Sequence, residues 1–199
     1  MADKRKNRGN SGRRGQDEKP VSRTNAWQRL SPVARFIILF LLSLIVFGTI
    51  YAHLTASYHD SLVPMMRATA NIVGFVLSVF SSSVSYEGAH CVLNGFAVEI
   101  IDECTGLLEM VIFLAAVLSF GTTGGKKAMG LLIGIPAIYL FNVLRIIVLV
   151  VVGAYWPGAF NFMHIYFWQV TLILMIGSVW VGWLYLVVYR EKKPVAVPS

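Results

Sequence analysis

Charge is scarce in this sequence. Of its 199 residues only 14% are charged, against about 25% in an ordinary soluble domain, while 56% are hydrophobic and the mean hydropathy is +0.66. Acidic residues are scarcer still, 10 Asp and Glu against 17 Lys and Arg. Cysteine is limited to Cys91 and Cys104, too few for a disulfide scaffold; they leave room for one disulfide, one metal pair or one reactive thiol. No internal repeat is visible. The run GTTGGKK at 121–127 lacks the strand-loop-helix setting of a phosphate loop, so no cofactor is implied. The start of the chain lacks a short apolar stretch ending in a small-residue cleavage site, so no signal peptide is expected there.

Nearly all the Lys and Arg gather in three places: the first 35 residues, the Lys126–Lys127 loop and the last ten residues. A net charge of +7 and a pI near 9.6 would suit a nucleic-acid partner. Here, however, the positive residues flank apolar runs long enough to span a bilayer, where basic residues set orientation. The expected partner of the basic segments is therefore membrane lipid and not nucleic acid.

The apolar runs give the fold class. Residues 1–30 are polar and basic and cannot bury enough apolar surface to fold. Val33 to about Leu54, Gly106 to Phe120, Ala128 to Val152 and Ile165 to Tyr189 read as four spans, each near the ~20 residues a bilayer requires. Residues 62–84 carry Pro64, Arg67, Asn71 and a closing serine run, and read as a re-entrant, interfacial or poor span. Between 85 and 103, Asn94-Gly95 separates two short apolar runs, a hairpin-turn signal because both residues tolerate positive φ. GAYWPGAFNFMH, 153–164, reads as a loop. The expectation is an all-α membrane protein: a bundle of four full spans plus one re-entrant or partial helix, with a small extracytoplasmic β-hairpin or loop. A cytoplasmic arm (1–30), a transmembrane domain (31–190) and a cytoplasmic tail (191–199) divide the chain.

Orientation follows from the basic clusters. The arm, the Lys126–Lys127 loop and the C-terminal cluster can all be cytoplasmic only if 62–84 does not cross completely. Cys104 then lies at the outer end of its helix, Arg145 about two turns below the outer end of the next span, and His164 at the outer start of the last. A thiol, a guanidinium and an imidazole from three helices share one depth on the extracytoplasmic face. Arg145 stands out, because an arginine within a span costs roughly 2.5–3.5 kcal/mol on insertion scales and faces the bundle interior. A structural pairing with Glu109 or a backbone carbonyl is the bland alternative. Asn142, at i−3, shares the face of Arg145 and could orient it. Taken singly, Cys104 reads as a small buried hydrophobe and His164 as an interfacial residue.

Together these residues resemble a known family. ECTGL at 103–107 opens an apolar helix, NVLRI at 142–146 sits in a later span, and an isolated His164 follows. Their order, spacing and shared depth are similar to the exosortase/archaeosortase family of membrane cysteine transpeptidases, over about Val92 to Tyr185. The short chain resembles the compact members, of the exosortase H kind that serve IPTLxxWG-type signals. Thr105 stands where Ser or Ala is commoner in the family.

The resemblance implies a function. The partners would be exported proteins ending in a sorting signal, made of a recognition motif, a transmembrane helix and a basic tail. Cys104 would be the nucleophile forming a thioester, Arg145 the oxyanion or backbone ligand and His164 the proton carrier, with Asn142 and Glu103 in support. Asp102, Glu103 and Glu99 oppose ionisation of the thiol; either Glu103 pairs with Arg145 or His164, or the acidic group binds the substrate. Two further readings stay open. His90 and Cys91 could join Cys104 and His164 around a metal, at poor spacing, or Cys91 and Cys104 could form a disulfide. Otherwise the chain is a non-enzymatic assembly factor or transporter subunit, with its third full span broken at Gly130, Gly134 and Pro136.

Overall fold

A computed structural model describes residues 30–189. The basic arm expected at 1–30 and the tail expected at 191–199 lie outside the described residues, Leu30 apart. The first helix, α1 (Pro32–Ser57), begins where Ser31 accepts a hydrogen bond from the Ala34 N–H at 3.1 Å, with Pro32 at the first helical position. Both residues suit a helix start, since the cap supplies an acceptor and proline lacks a donor that would go unused. One residue later α2 (His59–Phe80) starts. A three-stranded antiparallel sheet follows, in the order β1 (Val84–Glu87), β2 (His90–Leu93), β3 (Phe96–Glu99). Then come a tight turn at Asp102–Cys104, α3 (Leu107–Ser119), α4 (Gly124–Tyr155) and α5 (Pro157–Tyr189), the last containing wider π-type turns at Met163–Phe167 and Leu184–Tyr189.

The helices alternate between two ends of a bundle. Phe36 and Ser43 of α1 meet Phe120 (ring centroids 6.1 Å apart) and Ser119 (Oγ–Oγ 3.2 Å) at the close of α3, so α1 and α3 are antiparallel. Next, α4 returns along α3: Gly134 leaves room for Phe113, and Asn142 reaches the Cys104 carbonyl. Finally α5 runs back along α4, from Trp168 against Phe141 to Trp183, whose indole N–H donates to the Lys126 carbonyl at 2.9 Å. One end of the bundle therefore carries Lys126, Lys127 and an aromatic cluster of Phe36, Phe120, Trp180 and Trp183. The sheet and Cys104 lie at the other end. Pro136 does not break α4, and Gly130 and Gly134 serve packing, since a Cβ there would collide with Trp183 and Phe113.

By length and composition α2 could cross a membrane, yet both its ends lie at the Cys104 end. It starts where α1 finishes and stops three residues before β1. One face, Met66, Thr69, Ala70, Val73, Gly74 and Leu77, is buried, at the spacing of a single helical stripe. Part of that stripe shares a core with Cys91, Leu93 and Ile100 of the sheet region and Val143, Ile146 and Val150 of α4. A partial helix is thus what the packing describes, with α1, α3, α4 and α5 joining the two ends. The 13 residues of α3 reach only about 20 Å, short of the ~30 Å apolar core of a bilayer.

Two expectations need correction. Residues 157–164 are helical rather than a loop, so His164 lies within α5 and not at its start. The hairpin turn at Asn94 (φ 50°) and Gly95 (φ 81°) is present, but a further strand, β1, joins it through a turn at Gly88.

Candidate active site

The motif ECTG is a corner between sheet and helix. Cys104 closes the tight turn, its N–H bonding the Ile101 carbonyl at 2.9 Å. The buried Thr105 hydroxyl donates to the Asp102 carbonyl at 2.6 Å and ties the corner down. Gly106 is left-handed (φ 79°), and a Cβ there would lie 3.2 Å from the Asn142 side chain. Glycine is required twice over, by the dihedral and by the approach of α4.

Asn142 is fully buried and links two of the candidate residues. Its amide N–H donates to the Cys104 carbonyl, and its amide oxygen accepts from Arg145 Nη1 at 3.5 Å. The sequence suggested only the contact with Arg145; the hold on the Cys104 backbone is an addition. Arg145 is half-buried, and its Nε has no hydrogen-bond partner among the described residues. A buried, unsatisfied donor is costly. Neither Glu103 nor Glu109 pairs with it among the described residues. Glu109 is itself buried one turn into the helix, its Oε2 also without a partner there.

His164 is placed by aromatic stacking. Its ring lies parallel to Phe160, with centroids 5.6 Å apart and planes within 5°. Phe160 meets Phe96 edge-on at 5.1 Å, and Phe96 sits over Gly153, where a Cβ would overlap its ring. The hairpin thereby braces the imidazole against α4. The local widening of α5 at Met163–Phe167 is a feature common at functional sites. Neither Phe96 nor Phe160 was singled out from sequence. The i, i+4 spacing of Phe160 and His164 was a signal, hidden by reading that stretch as loop.

Cys104, Arg145 and His164 all line one cavity of about 280 Å³, with β3, Ile146, Leu149 and Phe160 forming the rest of its wall. Glu99 lines it too, while Glu103 and Asp102 stand at the corner beside it. Cys91 does not reach the cavity. It is buried in the sheet core, both cysteines are free thiols, and His90 faces a separate exposed hollow.

Burial pushes the Cys104 thiol above the ordinary cysteine range. A hydrogen bond from the Ile101 backbone and the Arg145 guanidinium pull it back, and the Glu103 and Asp102 carboxylates push it up again. Since the thiolate is the reactive form, Glu103→Gln is expected to move the pH profile of Cys104 alkylation to lower pH. Rates of maleimide labelling across a pH series check this; an unmoved profile would mean that Glu103 does not act on the thiol.

No curated protein and no solved structure matches the chain at a significant level. The family model described as transmembrane exosortase, Exosortase_EpsH, matches residues 25–190, which takes in every helix and strand of the described residues and the residues lining the cavity that holds Cys104. The protein, a multi-pass membrane protein by its apolar helices, belongs to the transmembrane exosortase family.

Proposed function

We propose that this protein is a membrane-embedded cysteine peptidase or transpeptidase that removes the C-terminal sorting signal of exported proteins and passes the new C-terminus to a surface acceptor. The observation that carries the reading is the single cavity onto which Cys104, Arg145 and His164 converge from the ECTG corner, α4 and α5. In the proposed reaction the Cys104 sulfur attacks the scissile carbonyl as His164 takes the thiol proton. Arg145 faces the developing oxyanion. Collapse breaks the C–N bond, His164 protonates the leaving amine, and the tail helix departs. Water or an acceptor amine then resolves the thioester, giving its proton to His164. Asn142 holds Arg145 and the Cys104 backbone in register, and Phe160 holds the imidazole.

The proposed setting is the inner membrane, with both termini cytoplasmic and the cavity on the extracytoplasmic face. Lys126 and Lys127 in the first turn of α4, beside the Phe36, Phe120, Trp180 and Trp183 cluster, support a cytoplasmic interface at that end. A substrate tail lying alongside in the bilayer would bring its scissile bond to the opposite interface, so proximity replaces much of the affinity needed for the motif.

One experiment tests chemistry and sidedness together. Intact spheroplasts carrying Cys91→Ala are treated with a membrane-impermeant thiol reagent, and processing of a co-resident tail-bearing protein is followed. Labelling of Cys104 with parallel loss of processing is expected. Labelling without loss would remove Cys104 as nucleophile, and labelling confined to inverted membranes would reverse the topology.

A further inference from the structure

We propose that the recognition segment of the substrate binds as a fourth strand on the free edge of β3, running parallel to it toward Cys104. This inference rests on the peptidase reading above and adds a binding mode to it.

The sheet order places β3 at an edge. Six consecutive residues, Phe96 to Ile101, line the cavity that holds Cys104. Successive side chains of a strand point to opposite faces, so a wall made of every residue in turn is the strand's edge and not one of its faces. The ladder says which backbone groups that edge offers. Around the two-residue turn, Leu93 pairs with Phe96, and Ile100 N–H bonds the Ala89 carbonyl at 2.8 Å. Alternation of bonded and non-bonded pairs then turns the N–H and C=O of Ala97 and Glu99 away from β2. Neither group has another backbone partner among the described residues. An exposed edge of this kind is a template for an incoming strand.

Direction follows from depth. Phe96 packs at Gly153, eight residues beyond Arg145 along α4, or about 12 Å farther toward the outer end. From there β3 descends to Ile101 and the Cys104 corner. A substrate whose folded part is outside and whose tail helix is in the membrane descends the same way, so its strand lies parallel to β3 and delivers its C-terminal end to the thiol. Side-chain preference follows as well. Phe96, Val98 and Ile100 face the core side with Ile146 and Leu149 behind them, while Ala97 and Glu99 are exposed. Alternate substrate residues would enter this apolar lining, and those between them would face out beside Glu99.

The test uses the full-length protein in membranes and an exported reporter ending in the motif, apolar helix and basic end of a co-resident protein. In a Cys91→Ala, Cys104→Ala background, Ala97→Cys is oxidised against single cysteines stepped through the reporter's motif. Strand pairing predicts disulfide yields that rise and fall with a period of two residues. In the enzyme with Cys104 intact, Ala97→Pro removes one outward N–H without removing a ladder bond to β2, and processing is expected to fall at least tenfold. A flat cross-linking pattern, together with Cys104-dependent processing that survives Ala97→Pro, would overturn the strand and leave the peptidase standing. Processing that is indifferent to Cys104→Ala would overturn the peptidase and the inference with it. Should Ala97→Pro fail to accumulate, the cross-linking period alone decides.

Discussion

Cys104→Ser is expected to abolish processing of the tail-bearing substrate, a loss of about 10³-fold or more, with the enzyme still present in the membrane at its normal level. Serine keeps the size and polarity of the side chain, so the corner should form: Asn142 holds the residue through its backbone carbonyl, and Thr105 and Gly106 are untouched. What is lost is the ability to ionise, since a hydroxyl without a strong base is a poor nucleophile near neutral pH. Uncleaved substrate should accumulate, with no hydroxylamine-sensitive adduct to the enzyme. Cys91→Ala is the matched control, because Cys91 fills the core between sheet and helices and does not touch the cavity. Immunoblots of enzyme and substrate in the same membranes check both. Full processing by Cys104→Ser would show that no thioester is needed.

The sequence made parts of this site legible because local chemistry dictated them. Asn94-Gly95 specified a hairpin turn, and Asn142 and Arg145 had to share a helix face. The basic clusters led to the expectation that residues 62–84 do not cross completely, and α2 packs its buried face against the sheet region and α4. Less was visible where tertiary contacts override local signals. The Gly-Pro-Asn content of 153–164 suggested a loop, but Pro157 fits a first helical turn and the segment continues as helix into α5. That error hid Phe160, and with it the aromatic brace that sets His164. Strand β1 was missed because Tyr86 and Glu87 acquire a reason to be extended only when Tyr86 covers Gly74 of α2. The role of Gly106 was equally invisible: a positive φ can be guessed from glycine, but the approach of Asn142 from 36 residues away cannot.

Arg145 is expected to matter in two separable ways. It pulls the Cys104 thiol downward against burial and against Glu103 and Asp102, and its side chain, held through Nη1 by Asn142, lines the cavity that also holds Cys104, where the proposed reaction would place an oxyanion. Removing it should therefore raise the thiol further and also remove a transition-state donor, which is worth about 10²–10³ in rate. Raising the pH restores thiolate but not the donor. Arg145→Ala is accordingly expected to lose at least about 10²-fold in processing rate, to regain normal alkylation of Cys104 at high pH, and to remain slow in processing there. Arg145→Lys retains a charge near the sulfur but lacks the planar fork that Asn142 orients. Its alkylation profile should stay close to that of the parent while its processing remains impaired. Parallel pH series of alkylation and of processing, in purified proteoliposomes with the reporter, separate the two effects. If high pH returned Arg145→Ala to full processing, the guanidinium would act on the thiol alone, and the oxyanion would have to be held by another group in the cavity.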